Sequence, residues 1–201
     1  MGDAGMREVL SASRDLVTAV RALMVAASIS DVDAPTMHQA TQLVNRASKM
    51  LAARVRTTGR REHLDRGAIA RLRGGEPWEV FTHNPMGIPL RISVSGAEAT
   101  ATVMTTALFE GPPGILHGGF VAAMLDALLS TLVQAQEIRA FTVKLDVRFL
   151  RAVNIGTELQ LHGTIKAVEG RKVHAAGSIR GGDDVIAEAD ARFITIPGEP
   201  D

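Results

Sequence analysis

The apolar residues in the first quarter of the chain recur at helical spacing in two blocks. The first block consists of Val9, Leu10, Leu16, Val17, Val20, Leu23 and Met24. The second block runs from Met37 to Leu51. It follows Asp33-Ala34-Pro35, a capping residue with a proline suited to the first turn. The pattern predicts a helical hairpin over about residues 5–56, and a short helix near residues 64–72.

After Trp78 the period of the apolar pattern shortens to two. Leu90, Ile92 and Val94 alternate with polar residues, and residues 99–106 are rich in Thr and Val. The strongest strand signal covers residues 141–149, where five apolar residues are interleaved with four polar ones. Turn sequences rich in Gly, Asn and Asp then separate three further strands, at about residues 157–168, 171–180 and 184–196.

Between the second and third strands lies an apolar stretch, residues 120–132, whose one charged residue is Asp126. It predicts a long helix from about Gly118 to Gln136, available to cover the apolar face of an antiparallel sheet. The predicted fold is α+β, in the order β-β-α-β-β-β-β. We expect a helical N-terminal extension over residues 1–75 and a sheet-and-helix domain over residues 76–201, divided near Gly74-Gly75.

Composition narrows the classes of function. The chain has 201 residues, 46% of them hydrophobic, and a net charge of zero, so it shows no bias toward nucleic acid. Without cysteine it has neither disulfides nor thiolate chemistry. No signal peptide, uninterrupted membrane span, phosphate-binding loop or dinucleotide fingerprint is present, and the six histidines lack paired acids at metal-ligand spacing. We expect a cytoplasmic protein that binds no metal and no membrane.

The start of the long helix carries the candidate chemistry. A stiff turn rich in Pro and Gly, residues 111–114, leads into His117-Gly118-Gly119 at the helix N-terminus. Free backbone N–H groups there can hold a developing negative charge, and Asp126 supplies a carboxylate within the same helix. This combination is typical of a site for attack on a carbonyl group.

Helix geometry limits how Gly118 and Asp126 can act together. Gly118 and Asp126 are eight residues apart, or about 12 Å along the helix axis. They cannot both contact one carbonyl carbon. If both act on the same bond, they come from different subunits across a two-fold axis, and a homodimer holds two equal sites.

The His117-Gly118-Gly119 element with Asp126 resembles the hot-dog fold acyl-CoA thioesterases, in particular the PaaI-like branch of phenylacetate degradation. The resemblance covers about residues 80–197. Further matches are residues 84–90, 148–153 and 169–173. It implies hydrolysis of an acyl-CoA with no cofactor beyond the substrate's own coenzyme A. It also implies a homodimer whose sheets join edge to edge, possible also as a dimer of dimers (a homotetramer).

The resemblance also implies roles for individual residues. The Gly118 N–H would stabilise the oxyanion, and Asp126 of the partner subunit would act as general base or as nucleophile; both routes stay open. His117 either caps the helix or takes part in the chemistry. Thr142 matches a Ser or Thr that assists water or the carboxylate, although strict alternation places it on the sheet face away from the helix. The structural alternative for Asp126 is a buried acid satisfied by Ser130 or by backbone.

Substrate-binding positions follow from the same resemblance. Many relatives carry Asn or Gln seven residues before the oxyanion glycine, where this chain has Gly111. That contact is therefore either absent or supplied elsewhere, by Asn84 or His83. The positive charges of Arg151, Arg171 and Lys172 suit the phosphates of coenzyme A. The expected substrate-binding residues are Asn84, Gly119, Leu150, Arg151, Gly170, Arg171 and Lys172.

Two other hypotheses remain. Residues 1–75 carry a surplus of five positive charges, and seven arginines lie within residues 54–73, so a non-catalytic acyl-CoA sensor with a DNA-binding leader is one. A protein that only binds acyl-CoA has no use for the Asp126 carboxylate. The N-terminal extension also lacks the character of a DNA-recognition helix, so nucleic acid is not the expected partner. An enoyl-CoA hydratase on the same fold would need an Asp/His pair on one segment, which is absent.

Overall fold

A computed structural model describes residues 3–61 and 63–196. The chain opens with helix α1 (Asp3–Ile29), helix α2 (Ala34–Ala52) and the short helix α3 (Arg66–Arg73). The predicted cap of the second helix is present, because Asp33 Oδ1 accepts a hydrogen bond of 3.0 Å from the Thr36 N–H.

One antiparallel sheet follows, wrapped around helix α4 (Gly118–Ala135). Its strands are β1 (Trp78–Val80), β2 (Leu90–Ser95), β3 (Glu98–Met104), β4 (Ala140–Phe149), β5 (Glu158–Glu169), β6 (Lys172–Gly181) and β7 (Asp184–Thr195). The order across the sheet is β1-β2-β3-β5-β6-β7-β4. The predicted element order is confirmed, with one strand added: β1 has three residues, too few to show an alternation.

Helix α4 lies close against the sheet. Gly163 and Gly177 face each other across β5 and β6, and a Cβ atom on them would lie 2.9 Å from Leu129 Cδ2 and 3.1 Å from Leu125 Cδ2. These glycines therefore leave the room that the leucines of α4 occupy. Within the described part of the chain, α4 alone is long and apolar enough to cross a membrane, and here it is the core helix, with half of it buried.

The three N-terminal helices differ in how they pack. Helix α3 buries Ala68, Ile69 and Leu72, and Leu72 joins the core cluster that contains α4. Helix α1 contacts the 3-10 turn Ala107–Phe109, whereas α2 buries none of its residues. The division near residue 75 remains a prediction, and α3, which precedes it, contributes to the core of the following domain.

Strand β4 lies at an edge of the sheet and contains a bulge. Its register with β7 shifts between Thr142 and Lys144, so residues on either side of the bulge have opposite parity. Leu145 and Val147 pack on the core, whereas Phe141 and Val143 are 66% and 58% exposed. The prediction that Thr142 faces away from the helix is wrong, because strict alternation does not survive the bulge.

Candidate active site

Asp126 is held by the neighbouring strand rather than by its own helix. Its side chain is half-buried, and its Oδ1 accepts a hydrogen bond of 2.9 Å from Thr142 Oγ1. Ser130, the expected partner one turn along α4, lines the same cavity without a recorded hydrogen bond to the carboxylate. A hydroxyl donating to a carboxylate makes a strong bond, and it leaves the second carboxylate oxygen for other contacts.

The N-terminus of α4 is capped by His117. The residue is extended, with φ −71° and ψ 130°, and its Nδ1 accepts a hydrogen bond of 2.9 Å from the Gly119 N–H. The His117 carbonyl accepts from the Phe120 N–H at 3.0 Å. Over residues 3–61 and 63–196, no group accepts a hydrogen bond from the Gly118 N–H. The cap therefore leaves one donor of the helix N-terminus for a ligand.

Gly111 lies close against the histidine that caps α4. A Cβ atom on Gly111 would lie 3.0 Å from three atoms of His117, and the Gly111 N–H donates to the Ile115 carbonyl at 2.8 Å. A side chain at this position would require His117 to shift by a few tenths of an ångström. The absence of Asn or Gln at this position is compatible with this tight packing.

A cavity of about 850 Å³ opens beside Asp126. One wall is the face of α4 that carries Asp126, Ala127 and Ser130, and a second is the stretch 78–84. The third wall comes from the N-terminal extension, at residues 59–61 and Leu64. Asn84 and His83, the residues expected to replace the missing side-chain contact, both line this cavity.

Arg21 of α1 holds the loop that forms the second wall. Its Nη2 donates to the carbonyl oxygens of Phe81, Asn84 and Gly87 at 2.6, 2.8 and 3.0 Å. Partial burial lowers the pKa of the Arg21 guanidinium from its usual value. Sequence analysis missed this contact, although the seven-residue spacing of Arg7, Arg14 and Arg21 places all three on one face of α1.

The same loop has a constrained backbone. Phe81 has φ 60°, a conformation unusual for a residue with a side chain, and a Cβ atom on Gly87 would lie 2.2 Å from Phe81 Cγ. Asn84 Oδ1 accepts a hydrogen bond of 3.1 Å from the Met86 N–H. Residues 84–87, Asn-Pro-Met-Gly, therefore form a rigid turn that presents Asn84 to the cavity.

The other expected substrate-binding residues divide between the two ends of β4. Leu150 and Arg151 follow its last residue, and Arg151 Nε lies 3.3 Å from Asp184 Oδ1. Gly170 (φ 56°) and Arg171 form the turn between β5 and β6, and Arg171 Nη2 donates to the Thr195 carbonyl at 2.9 Å. Lys172 pairs with Ile194, which pairs in turn with Phe141, so this turn lies near the start of β4.

Comparison with known sequences identifies this architecture. Residues 113–189 match the thioesterase superfamily. The matched residues run from the turn before α4 into β7. The acyl-coenzyme A thioesterase THEM4 of Xenopus laevis is 33% identical to this chain over 89 residues, or 43% of this chain and 40% of that protein. Human THEM5 is 27% identical over 89 residues, 43% of this chain and 36% of that protein. The matches thus span about two fifths of these curated relatives.

Solved structures confirm the hot-dog fold of the domain. A thioesterase superfamily protein with 23% identity covers 90% of this chain and 94% of its own, with a TM-score of 0.74, so the likeness reaches into the N-terminal helices. The PaaI protein of the E. coli phenylacetic acid degradation operon is 19% identical, with a TM-score of 0.52 over 54% of this chain and 80% of its own. A Streptococcus mutans protein bound to acetyl CoA is 16% identical, with a TM-score of 0.51 over 55% and 91%.

Proposed function

We propose that this protein hydrolyses acyl-CoA thioesters to a free acid and coenzyme A. The observation that carries the proposal is the Asp126 carboxylate, half-buried beside a large cavity and held at 2.9 Å by the Thr142 hydroxyl. The names of the curated relatives and the acetyl CoA bound to a protein of the same fold support acyl-CoA as the substrate. The proposed reaction needs no cofactor beyond the substrate, and we expect it in the cytoplasm.

In this proposal the Gly118 N–H and the Asp126 carboxylate of one protomer belong to two different active sites. A Cβ atom on Gly118 would lie 3.1 Å from the Phe149 ring, whereas Asp126 is bonded to Thr142. Thr142 and Phe149 are seven residues apart on β4, or roughly 20 Å along an extended strand. Gly118 and Asp126 therefore contact opposite ends of β4, as the helix rise also requires.

Pairing of β4 with a second copy brings these ends together. Antiparallel pairing reverses the strand direction, so the Phe149 end of one protomer lies beside the Thr142 end of its partner. Among the described residues of the protomer, no strand pairs with the outer edge of β4, and the strand carries exposed Phe141 and Val143, the features expected of an interface. The same reversal brings Arg151 of one protomer toward the turn at Arg171 of the other. A dimer of dimers would extend this arrangement.

The proposed mechanism uses one group from each subunit. The Gly118 N–H, at the positive end of α4, stabilises the oxyanion as the thioester carbon becomes tetrahedral, a contribution of about 2.7–4 kcal/mol. Asp126 either takes a proton from water, whose oxygen forms the new C–O bond, or forms that bond itself before water releases the acid. In both routes the C–S bond breaks and the departing thiolate takes up a proton. Thr142 orients the carboxylate.

Removing the carboxylate tests the reaction. Asp126→Asn keeps the shape of the side chain but cannot act as base or nucleophile, so thiol release from short, long and aromatic acyl-CoAs should fall about 100-fold or more. Asp190→Asn is the matched control, because Asp190 is exposed on β7, the strand next to β4, and lies away from the outer edge of the sheet. Equal rates for Asp126→Asn and the wild type would remove Asp126 from the mechanism.

Complementation tests whether the site is shared. Gly118→Pro deletes the N–H at the first helical position, where proline is tolerated and the extended His117 suits a following proline. Gly118→Ala is the control, since it makes the same Cβ contact but keeps the N–H. A mixture of Gly118→Pro and Asp126→Asn chains, each inactive alone, should recover about one quarter of wild-type activity, since half the dimers hold one complete site. No recovery on subunit exchange would show that each site lies within one protomer.

A non-catalytic acyl-CoA sensor is the second candidate. The observation that favours it is the arginine-rich segment, in which Arg54 and Arg56 are exposed. A sensor would bind duplex DNA in a salt-sensitive manner and release no thiol from any acyl-CoA. Hydrolysis that depends on Asp126 would exclude it as the main function.

A further inference from the structure

The N-terminal extension contributes two cations to the cavity beside Asp126. Arg60 and Arg61 belong to the irregular segment between α2 and α3, and both line the cavity opposite α4. Arg60 is half-buried. Within residues 3–61 and 63–196, no group forms an ion pair or hydrogen bond with either guanidinium. A partly desolvated guanidinium without a partner is costly, so a ligand that supplies an anion would be favoured there.

The remaining lining fits a ligand with both apolar and polar parts. Leu64, Trp78 and Val80 provide apolar surface, and the Thr82 hydroxyl is buried with no hydrogen-bond partner in the described part of the chain. Two carboxylates, Glu79 and Asp126, line the same cavity, yet neither pairs with Arg60 or Arg61.

We propose that Arg60 and Arg61 form an anion-binding subsite for one end of the acyl-CoA. The proposal rests on the function proposed above. The anion is the carboxylate at the far end of a dicarboxylic acyl group, or a phosphate of coenzyme A, because the planar guanidinium fork binds both in the same way. Two of the three other cations expected to contact coenzyme A have partners within the protein: Arg151 with Asp184, and Arg171 with the Thr195 carbonyl.

The subsite gives the N-terminal extension a direct part in substrate choice. Helix α1 holds the second wall of the cavity through Arg21, and the segment after α2 supplies the charged third wall. A hot-dog domain without this extension would keep Asp126 and Thr142 but lose both arginines. The extension would then set which acyl-CoA is bound rather than whether the thioester is cleaved.

The experiment compares two double substitutions in the full chain. Arg60→Gln/Arg61→Gln removes the cavity arginines, and Arg54→Gln/Arg56→Gln removes the same charge from the same segment outside the cavity. The value of kcat/KM is measured by thiol release with hexanoyl-CoA, adipoyl-CoA and S-hexanoyl-pantetheine. The cavity variant should lose about 10-fold against at least one anionic substrate, and the control variant less than about twofold against all.

The pattern of losses identifies the anion. A loss confined to adipoyl-CoA assigns the subsite to the acyl carboxylate, since hexanoyl-CoA differs from it only in lacking that group. Equal losses for both CoA esters, with none for S-hexanoyl-pantetheine, assign it to a phosphate. Either loss should shrink at high salt. Parallel behaviour of the two double variants toward every substrate would overturn the subsite.

A binding measurement separates this proposal from the proposed reaction. Trp78 is the single tryptophan of the chain and lines the cavity, so its fluorescence can report ligand binding without turnover. If the wild type released thiol from none of the esters, the proposed hydrolysis would fail. The proposed subsite would still predict that, in this titration, adipoyl-CoA binds to the cavity variant about 10-fold more weakly than to the control variant. Unchanged affinity would reject it.

Discussion

Helices α2 and α4 have nearly the same length, 19 and 18 residues, but opposite environments. Helix α4 buries nine of its residues beneath the sheet, and α2 buries none. Both carry apolar residues at helical spacing, so the spacing predicts a helix without predicting what covers it. Only α4 meets a second apolar surface, and only α4 holds a carboxylate in a cavity.

Helix α1 lies between these extremes. It buries Val17 and half-buries Val9, Leu10 and Met24. It also makes polar contacts, with Arg21 on three carbonyl oxygens and Ser13 Oγ 3.0 Å from His83 Nδ1. These polar contacts join the extension to the loop that lines the cavity.

The largest expected effect comes from the same substitution in the two helices. Leu128 of α4 is fully buried and Leu43 of α2 is 61% exposed. Leu128→Ala should lower the free energy of unfolding by about 2–5 kcal/mol, because it leaves a cavity, whereas Leu43→Ala should change it by less than about 0.5 kcal/mol. Urea titration of the two variants makes the comparison.

The expected difference in unfolding free energy between these two variants depends on α2 being exposed in solution. A loss of more than about 1 kcal/mol for Leu43→Ala would mean that this face packs against another surface. Repeating the titration at several protein concentrations then distinguishes a second copy of the chain, because stability that depends on association rises with concentration.

The next effect concerns the Asp126 carboxylate of α4, since α2 contains no acidic residue. Thr142→Val preserves the shape of the side chain but removes the hydroxyl that holds Asp126. We expect kcat for thioester hydrolysis to fall about 10-fold with little change in KM, since a hydrogen bond to a charged group contributes about 1.5–3 kcal/mol. Thr142→Ser should restore most of the rate. A variant lacking the hydroxyl but retaining full kcat would limit Thr142 to a packing role.

Sequence reasoning succeeded where one local rule governs the structure. The alternation in β2 predicted its buried and exposed residues, and the Asp33 cap followed from its neighbours. Thr142 was misplaced because a bulge depends on how two strands pair, which alternation within one strand does not reveal. Arg21 was missed because its partners are carbonyl oxygens 60 to 66 residues away. Two roles were open for His117, and the cap is evident from its backbone angles and from the hydrogen bond that its Nδ1 accepts from the Gly119 N–H.

A smaller effect is expected where α1 meets the cavity loop. Arg21→Gln cannot reach all three carbonyl oxygens with a charged donor, so the loop at residues 81–87 should loosen and the free energy of unfolding should fall by about 1–2 kcal/mol. Arg46→Gln on exposed α2 is the control and should change little. Amide hydrogen exchange in the loop is the measurement. Unchanged exchange in Arg21→Gln would mean that the loop stays rigid without the hydrogen bonds from Arg21.

The smallest effect is the pH dependence of the α2 cap. Hydrogen bonding to Thr36, through its side chain and its backbone N–H, lowers the pKa of the exposed Asp33 carboxyl below its usual 3.8. Because the pKa is lower in the folded state, the cap stabilises α2 above that usual value, and its contribution is lost as the pH falls through the lowered pKa. Asp33→Asn caps without titrating. The difference in helix content between wild type and Asp33→Asn, measured by circular dichroism, should therefore change only at pH below 3.8. A difference that stays constant through that range would mean that protonation of Asp33 leaves the cap intact.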